Sequence, residues 1–349
     1  MAQKKKSKKR KRRPRSAGDA GLPERVKFAR RTDLNSATPI EATNARIERM
    51  LDARNFESME EANAFLQTIL GPEGTPIENE PPRTPLEEAQ DLMYEAWEAP
   101  RRRAAKLARK ALEISPDCAD AYVVLAQTTG KTAAQQAELY QEGVRAGERA
   151  LGEAAFVEEA GHFWDLVDTR PYMRALGGLA QCLFALGRTQ EAAENYIELL
   201  RLDPMDHQAS RYWLAACLLD LEEHDALRSL LDRYKDDVSA DWFYTRALLR
   251  FRREKDSTNA DRAFIKALNY NPFVPLYLLG LREVPEDPPP FVSPGEEDEA
   301  IEYTVRGIKP WAETPGALDW VADIMEAVIT QHGQNKAAGK GSRSGRTNR

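Results

Sequence analysis

Apolar residues recur every three to four positions through most of the chain, which predicts amphipathic helices rather than strands. The stretch GRTQEAAENYIELLRLDP, residues 187–204, opens on a glycine, carries a helical apolar face and closes on a proline. A step of 34 residues from Ala192 reaches Ala226, and a second step reaches Ala260. A large apolar residue stands four positions after each alanine: Tyr196, Leu230 and Phe264.

A 34-residue unit of two amphipathic helices is typical of the tetratricopeptide repeat. We therefore predict an all-α fold, a tetratricopeptide-type helical repeat solenoid. The small residue of each unit should let its two helices pack closely, and the large residue should fill the gap one turn later. Ala226 is thus expected at a helix–helix contact, like Ala192 and Ala260. Gly187 is expected to form the tight turn between two helices.

The pattern also divides the chain into segments that differ in periodicity and composition. In chain order we predict a disordered basic tail at 1–38, a short helical pair at 39–70, a proline-rich linker at 71–85, the repeat array with C-terminal capping helices at 86–333, and a second disordered basic tail at 334–349. The clearest units are expected at 173–206, 207–240 and 241–274.

Several stretches of the chain are distinctive sequence motifs. They include NYNPFVPLYLLG, EEDEAIEY, TPGALDW, NFESMEEANAFL and GHFWDLVDTRPYMRA. The first three resemble the carboxyl half of the suppressor of tumorigenicity 7 family, and the last two are similar to its soluble bacterial tetratricopeptide relatives. The resemblance spans roughly residues 40–325. It implies a helical repeat and no enzymatic activity. The vertebrate members are membrane proteins, and we do not carry over their localisation because this chain lacks their spanning segments.

The charge of the chain is segregated. Residues 4–15, from Lys4 to Arg15, hold ten Lys or Arg and no acid, and residues 334–349 hold five more. Without these fifteen, 35 basic residues face 56 acidic ones, a net charge of −21. Such a basic run can bind nucleic acid or ribosomes without base specificity. In a eukaryote it could serve as a nuclear localisation signal, and as a plain alternative it is a solubilising or self-associating tail.

Residues with catalytic or metal-binding potential are sparse. Cys118, Cys182 and Cys217 are far apart and read as buried thiols in a reducing, cytoplasmic protein. No Cys/His ligand spacing, phosphate loop or dinucleotide motif occurs. His162 is expected at a helix packing surface rather than in a catalytic site. We expect no enzymatic activity, no cofactor, no metal and no membrane association.

The repeat register predicts where a partner binds. In tetratricopeptide repeats the first helices line a concave groove, and positions 2, 5, 6 and 9 of each unit point into it. With starts at Met173, His207 and Asp241, the predicted peptide-binding residues are Arg174, Gln181, Gln208, Arg211, Tyr212, Trp242 and Arg246. Arginines capture carboxylates and aromatic residues anchor interfaces. The sequence thus favours a protein-interaction scaffold that binds an extended, acidic peptide.

Two alternatives stay open at this stage. The arginines could instead pair with acids of neighbouring helices. The protein could also act as a nucleic-acid- or ribosome-associated protein through its basic tails. The aromatic insertion from His162 to Met173, with Phe163, Trp164 and Tyr172, is expected to pack on the array rather than to recognise a ligand.

Overall fold

The computed structural model describes residues 39–54, 56–70, 82–285 and 291–343. These residues form fifteen helices and no strand, which confirms the predicted all-α class. Helices adjacent in the chain pack as neighbouring pairs, as a helical repeat requires. The predicted tail at 1–38 and most of the predicted linker at 71–85 lie outside the described residues.

The described residues fall into two compact units, with the boundary between Leu230 and Leu231. The first unit contains α1 (Pro39–Asp52), α2 (Met59–Leu70), α3 (Pro85–Glu98), α4 (Arg101–Ile114), α5 (Ala119–Thr129), α6 (Ala133–Glu158), α7 (Arg170–Ala185), α8 (Thr189–Leu202), α9 (Ser210–Asp220) and most of α10 (His224–Arg233). Within it, α6, α7 and α8 pack in sequence, and α7 also contacts α5 and α9.

The second unit follows from Leu231. It contains α11 (Ala240–Glu254), α12 (Thr258–Tyr270), α13 (Val274–Leu278), α14 (Glu297–Glu313) and α15 (Ala317–Arg343). Helix α11 packs on α12 and α14, and α14 packs on α13 and α15. Because α15 is described as far as Arg343, it covers part of the segment predicted as a tail from residue 334, and residues 344–349 lie outside the description.

The turn between α7 and α8 follows from a single glycine. Gly187 has a φ of 78°, in the left-handed region that side chains disfavour. The N–H groups of Gly187 and Arg188 donate to the carbonyls of Phe184 and Leu183 at 3.0 and 2.9 Å. These two bonds form a Schellman motif, which satisfies carbonyls left open at the helix end. The predicted role of Gly187 is confirmed.

The equivalent turn after α9 shows where the repeat lengthens. Glu222 occupies the left-handed position, with a φ of 58°, and the N–H of Glu223 donates to the carbonyl of Leu218 at 3.0 Å. Glu222 lies 35 residues after Gly187, one more than the repeat length read from the sequence.

That extra residue shifts the packing positions of α10. Ala192 and Ala260 are fully buried as predicted, but Ala226 is exposed, and its predicted helix–helix contact is wrong. Leu227, which lies 35 residues after Ala192, is fully buried instead. The prediction for the large apolar residues is confirmed, since Tyr196, Leu230 and Phe264 are all buried.

Helices α6 and α7 approach closely through glycines. A Cβ atom added at Gly178 would overlap the ring of Tyr140, and one added at Gly147 would lie 2.9 Å from Cβ of Tyr172. Both distances are too short for side chains, so glycine at these positions sets the separation of the two helices. This contact fixes α7 beside α6.

Candidate peptide-binding groove

Arg174 occupies the interior of the first unit, not a groove surface. Its side chain is fully buried. Nε and Nη2 donate to Asp120 at 2.8 and 2.6 Å, and Nη1 and Nη2 donate to Glu41 at 3.1 and 2.8 Å. Burial by itself lowers the pKa of the guanidinium, but the charges and hydrogen bonds of Asp120 and Glu41 outweigh it and raise that pKa above its usual range. The prediction that Arg174 faces a ligand is therefore wrong.

The predicted positions on and before α9 are also engaged within the protein. Gln208 is buried, and its Nε2 donates to the carbonyl of Met173 at 3.3 Å. Arg211 donates to Asp206 at 2.8 Å and to the hydroxyl of Tyr212 at 2.7 Å, and its guanidinium lies 4.3 Å from the centre of the Tyr212 ring. The structure thus brings Arg211 and Tyr212 together as a half-buried pair beside a carboxylate.

The remaining predicted residues divide between the two units. Gln181, on α7, is half-buried in the first unit. In the second unit Trp242 is fully buried, with its ring 6.3 Å from that of Tyr234, so its prediction as a surface anchor is wrong. Arg246 is half-buried and donates to the carbonyl of Leu231 at 3.0 Å. Arg174 and Arg211 therefore follow the alternative interpretation, in which the arginines pair with acidic residues of the protein itself and not with a ligand.

The aromatic insertion, residues 162–173, packs against neighbouring helices, as predicted. Phe163 is fully buried, and the Phe156 ring lies 5.3 Å from it and 4.9 Å from Tyr172. Trp164 stacks on His207 at 6.0 Å. His162 is exposed beside Asp165, which corrects its expected place at a packing surface.

A groove not predicted from the sequence lies between α6 and α8, with α7 as its floor. Its volume is about 540 Å³. The floor is a row of α7 side chains at helical spacing: Tyr172, Leu176, Leu179, Leu183 and Leu186. Most of these are nearly covered, but Leu186, at one end of the row, is 41% exposed. Ala137 and Val144 of α6 extend the apolar lining. We call this site the leucine groove.

The walls of the leucine groove are acidic. Its lining includes one cationic residue, Arg188, and five glutamates: Glu138, Glu148, Glu191, Glu194 and Glu198. Arg188 pairs with Glu191, and Arg201 neutralises Glu198 from outside the lining.

Three wall carboxylates keep an uncompensated charge. Glu138 and Glu148 make no ion pair with any residue that the structure describes, and Glu194 accepts only a neutral hydrogen bond, from Gln190 at 3.0 Å. Burial raises the pKa of the Tyr172 hydroxyl, and the carboxylates of Glu148 and Glu198 raise it further. The groove therefore combines an apolar floor with a negative electrostatic field.

The sequence carries a signal for this groove that the repeat register did not use. The leucines of LGGLAQCLFAL, residues 176–186, follow a helical period on one face of α7, and Glu191, Glu194 and Glu198 share a face of α8. The sequence alone does not show that α6 and α8 leave this row partly open. Among the described residues no cluster of His, Cys, Asp and Glu could hold a metal ion, and no helix is long and apolar enough to cross a membrane.

The described chain is thus an all-α helical repeat protein with one acidic, apolar-floored groove in its first unit. It belongs to the family described as ST7 protein, whose model matches residues 83–332. This confirms the resemblance noted from the sequence.

Individual relatives agree with the family model. A suppressor of tumorigenicity 7 protein-like from Rattus norvegicus is 30% identical over 268 residues, which cover 70% of this chain and 48% of the relative. A suppressor of tumorigenicity 7 protein from Macaca fascicularis is 28% identical over 231 residues, 60% of this chain and 43% of the relative. The chain therefore spans about half the length of the curated relatives it matches. No solved structure matches.

Proposed function

We propose that this protein is a non-enzymatic protein-interaction scaffold. In this proposal the leucine groove binds a partner segment that is basic and carries spaced apolar side chains. The observation that carries the proposal is the set of uncompensated carboxylates, Glu138, Glu148 and Glu194, above an apolar floor.

The expected charge of the partner follows from which charged side chains of the protein already have an internal counter-charge. Arg174 and Arg211 donate to internal carboxylates, so an acidic peptide would have to displace Asp120, Glu41 or Asp206. Breaking such buried pairs is strongly unfavourable. The groove glutamates, in contrast, gain a counter-charge when a basic segment binds, which favours both affinity and rapid association.

The size of the groove sets the kind of partner. A volume of about 540 Å³ lies within the range of pockets that enclose drug-sized ligands. It has room for a few side chains but not for a folded domain. A segment with apolar residues one helical turn apart matches a floor built on the same spacing.

We also propose a reducing compartment, the cytoplasm, for this protein. Cys118, Cys182 and Cys217 are all free and buried. Burial raises the pKa of the Cys118 and Cys182 thiols to about 12, which keeps both protonated at neutral pH.

Charge-inverted peptides test the proposed function. One probe carries leucines at positions i, i+4 and i+7 among lysines, and the second replaces every lysine with glutamate. Fluorescence anisotropy should show binding of the lysine probe alone. Replacing Glu138, Glu148 and Glu194 with Gln should weaken that binding about tenfold, because exposed ion pairs contribute roughly 0.2–1 kcal/mol each.

The matched control changes three exposed glutamates of α6 that do not line the groove: Glu142, Glu153 and Glu158, each to Gln. This variant carries the same change in net charge and should keep wild-type affinity. Preferential binding of the glutamate probe, or equal losses in both triple variants, would contradict the proposed function.

A second candidate function rests on the ten basic residues between Lys4 and Arg15. Binding of RNA or DNA through this run should fall steeply with salt, because it depends on counterion release. Heparin retention that does not change when these ten residues are replaced with Ser would rule it out.

A further inference from the structure

We propose that helix α4 binds the phosphodiester backbone of a nucleic acid through a stripe of exposed cations: Arg102, Lys106, Arg109 and Lys110. This cationic stripe is distinct from the leucine groove, whose lining includes no residue of α4. It is also distinct from the basic run of residues 4–15, because it belongs to a folded helix of the first unit.

Helix α4 has a charge opposite to that of the protein body. Its sequence, RRRAAKLARKALEI, holds six basic residues and one acid, Glu113. All six basic side chains are exposed, while the four buried alanines of the helix face the core that it forms with α3 and α5. The positive charge is therefore presented to solvent, on a body whose net charge is −21 without its basic ends.

Four of the six cations form one continuous stripe. They stand at positions i, i+4, i+7 and i+8, which share a face of the helix. None of the four makes an ion pair with a residue that the structure describes. Arg109 donates from Nη1 to the carbonyl of Ala105 at 3.3 Å, a bond to its own helix that leaves the positive charge uncompensated. The charges of the stripe are thus available to an anionic ligand.

The fold gains little from the cations of α4. The N-terminus of a helix is the positive end of its dipole, yet α4 begins with three arginines, no acid and no side-chain cap. Arg101 donates to the carbonyl of Thr128 at 2.7 Å and Arg103 pairs with Glu95, but Arg102 has no such partner among the described residues. Like charges four residues apart on a helix also repel each other. Fold stability therefore does not account for the stripe, and a bound anion would relieve the repulsion.

The chemistry of this surface favours a nucleic acid over other anionic partners. Protein interfaces and membrane-bound helices depend on apolar or aromatic anchors, and α4 exposes none. A nucleic acid backbone needs only cations, because it is a regular row of phosphates. The stripe rises about 12 Å from Arg102 to Lys110, which corresponds to about four phosphates of one strand at roughly 3.4 Å each. Contacts of this kind carry no base specificity.

The test uses the full-length protein with the ten basic residues between Lys4 and Arg15 replaced with Ser, so that this run does not contribute. In this background, fluorescence anisotropy should show binding of oligo(U) RNA and of oligo(dT) DNA. Changing the four stripe residues to Gln should weaken both at least about tenfold and reduce the slope of log K against log salt by about 3. Arg102→Lys/Arg109→Lys should retain binding, because the charges remain.

A matched control removes two arginines and two lysines outside α4. Its four exposed positions, each changed to Gln, are Arg145, Arg228, Lys235 and Lys266. This variant has the same net charge as the stripe variant and should keep the affinity of the background. Glu113 gives a test in the opposite direction, because it ends the stripe on the same face of α4. Glu113→Gln should strengthen binding about twofold.

Several outcomes would overturn the phosphate site on α4. They are equal losses in the stripe variant and the matched control, full binding by the stripe variant, and loss of binding by the lysine-for-arginine variant. Stronger binding to vesicles of phosphatidylserine and phosphatidylcholine, or to polyglutamate, than to the oligonucleotides would overturn it as well. The thermal midpoint of the stripe variant should not fall, because its substitutions remove like charges that repel each other.

Discussion

Two surfaces of the first unit carry charge in opposite ways. At the arginine positions predicted from the repeat register, Arg174 is enclosed with Asp120 and Glu41, and Arg211 is paired with Asp206. In the leucine groove, Glu138 and Glu148 stand beside apolar side chains, and neither makes an ion pair with a described residue. The charges of the first arrangement are compensated within the fold, and those of the second are not. A charged position in a helical repeat therefore identifies a binding surface only when its charge is not already compensated.

The largest expected effect comes from removing the buried arginine. Arg174→Met should lower the free energy of unfolding by about 3–5 kcal/mol, because Asp120 and Glu41 would be left as uncompensated buried charges. Urea denaturation measures the change. If Arg174 instead served mainly to bind a ligand, the variant would unfold at the wild-type urea concentration.

An exposed pair of the same kind is the control for this measurement. Arg188 pairs with Glu191 through two hydrogen bonds, but both side chains are about half exposed. Arg188→Met should leave the denaturation midpoint unchanged, since exposed ion pairs contribute little to stability. A loss as large as that of Arg174→Met would remove the distinction between the two surfaces.

A smaller loss is expected where α7 contacts α6. Gly178→Ala adds a Cβ atom that overlaps the ring of Tyr140. Overpacking of this kind costs about 1–3 kcal/mol, more than the roughly 1 kcal/mol that alanine gains over glycine in a helix. The thermal midpoint should fall, and the same substitution should cost less when it is introduced into a Tyr140→Val background, where the overlapping ring is absent. A rise in the midpoint of Gly178→Ala would show that the two helices are not held this close.

The smallest effect concerns the reactivity of a thiol on the same helix. Burial raises the pKa of Cys182 to about 12, so its thiolate is scarce at pH 8 and becomes abundant only as the pH approaches that value. Iodoacetamide should alkylate Cys182 far more slowly in the folded protein than in urea. Peptide mass mapping follows this site separately from Cys118 and Cys217. Equal rates in both conditions would mean that this part of α7 is accessible to solvent.

The sequence predicted those features that depend on neighbours in the chain. Helical periodicity indicated the all-α class, and Gly187 marked a turn because only glycine adopts its φ without strain. Ala226 was misplaced because Glu222 takes the left-handed position after α9 without the glycine signal, so the extra residue in the repeat was invisible. The register of α10 could therefore not be read from alanine spacing.

The charge assignments failed for a different reason. Asp120 and Glu41, the partners of Arg174, lie 54 and 133 residues away in the chain, so local pattern cannot pair them. The leucine groove was missed because its floor looks like an ordinary buried helix face. Its partial exposure depends on how far α6 and α8 stand apart, and that is a property of tertiary packing alone.

Locating a bound basic peptide tests most directly whether the leucine groove is the binding site. The leucine–lysine probe is made with a photoreactive leucine at each apolar position, cross-linked to the full-length protein, and mapped by mass spectrometry. We predict adducts on Leu179, Leu183 and Leu186, which are lost when unlabelled probe is added in excess. Adducts centred on Arg211, Tyr212 or Arg246 instead would contradict it and return the binding site to the surface predicted from the repeat register.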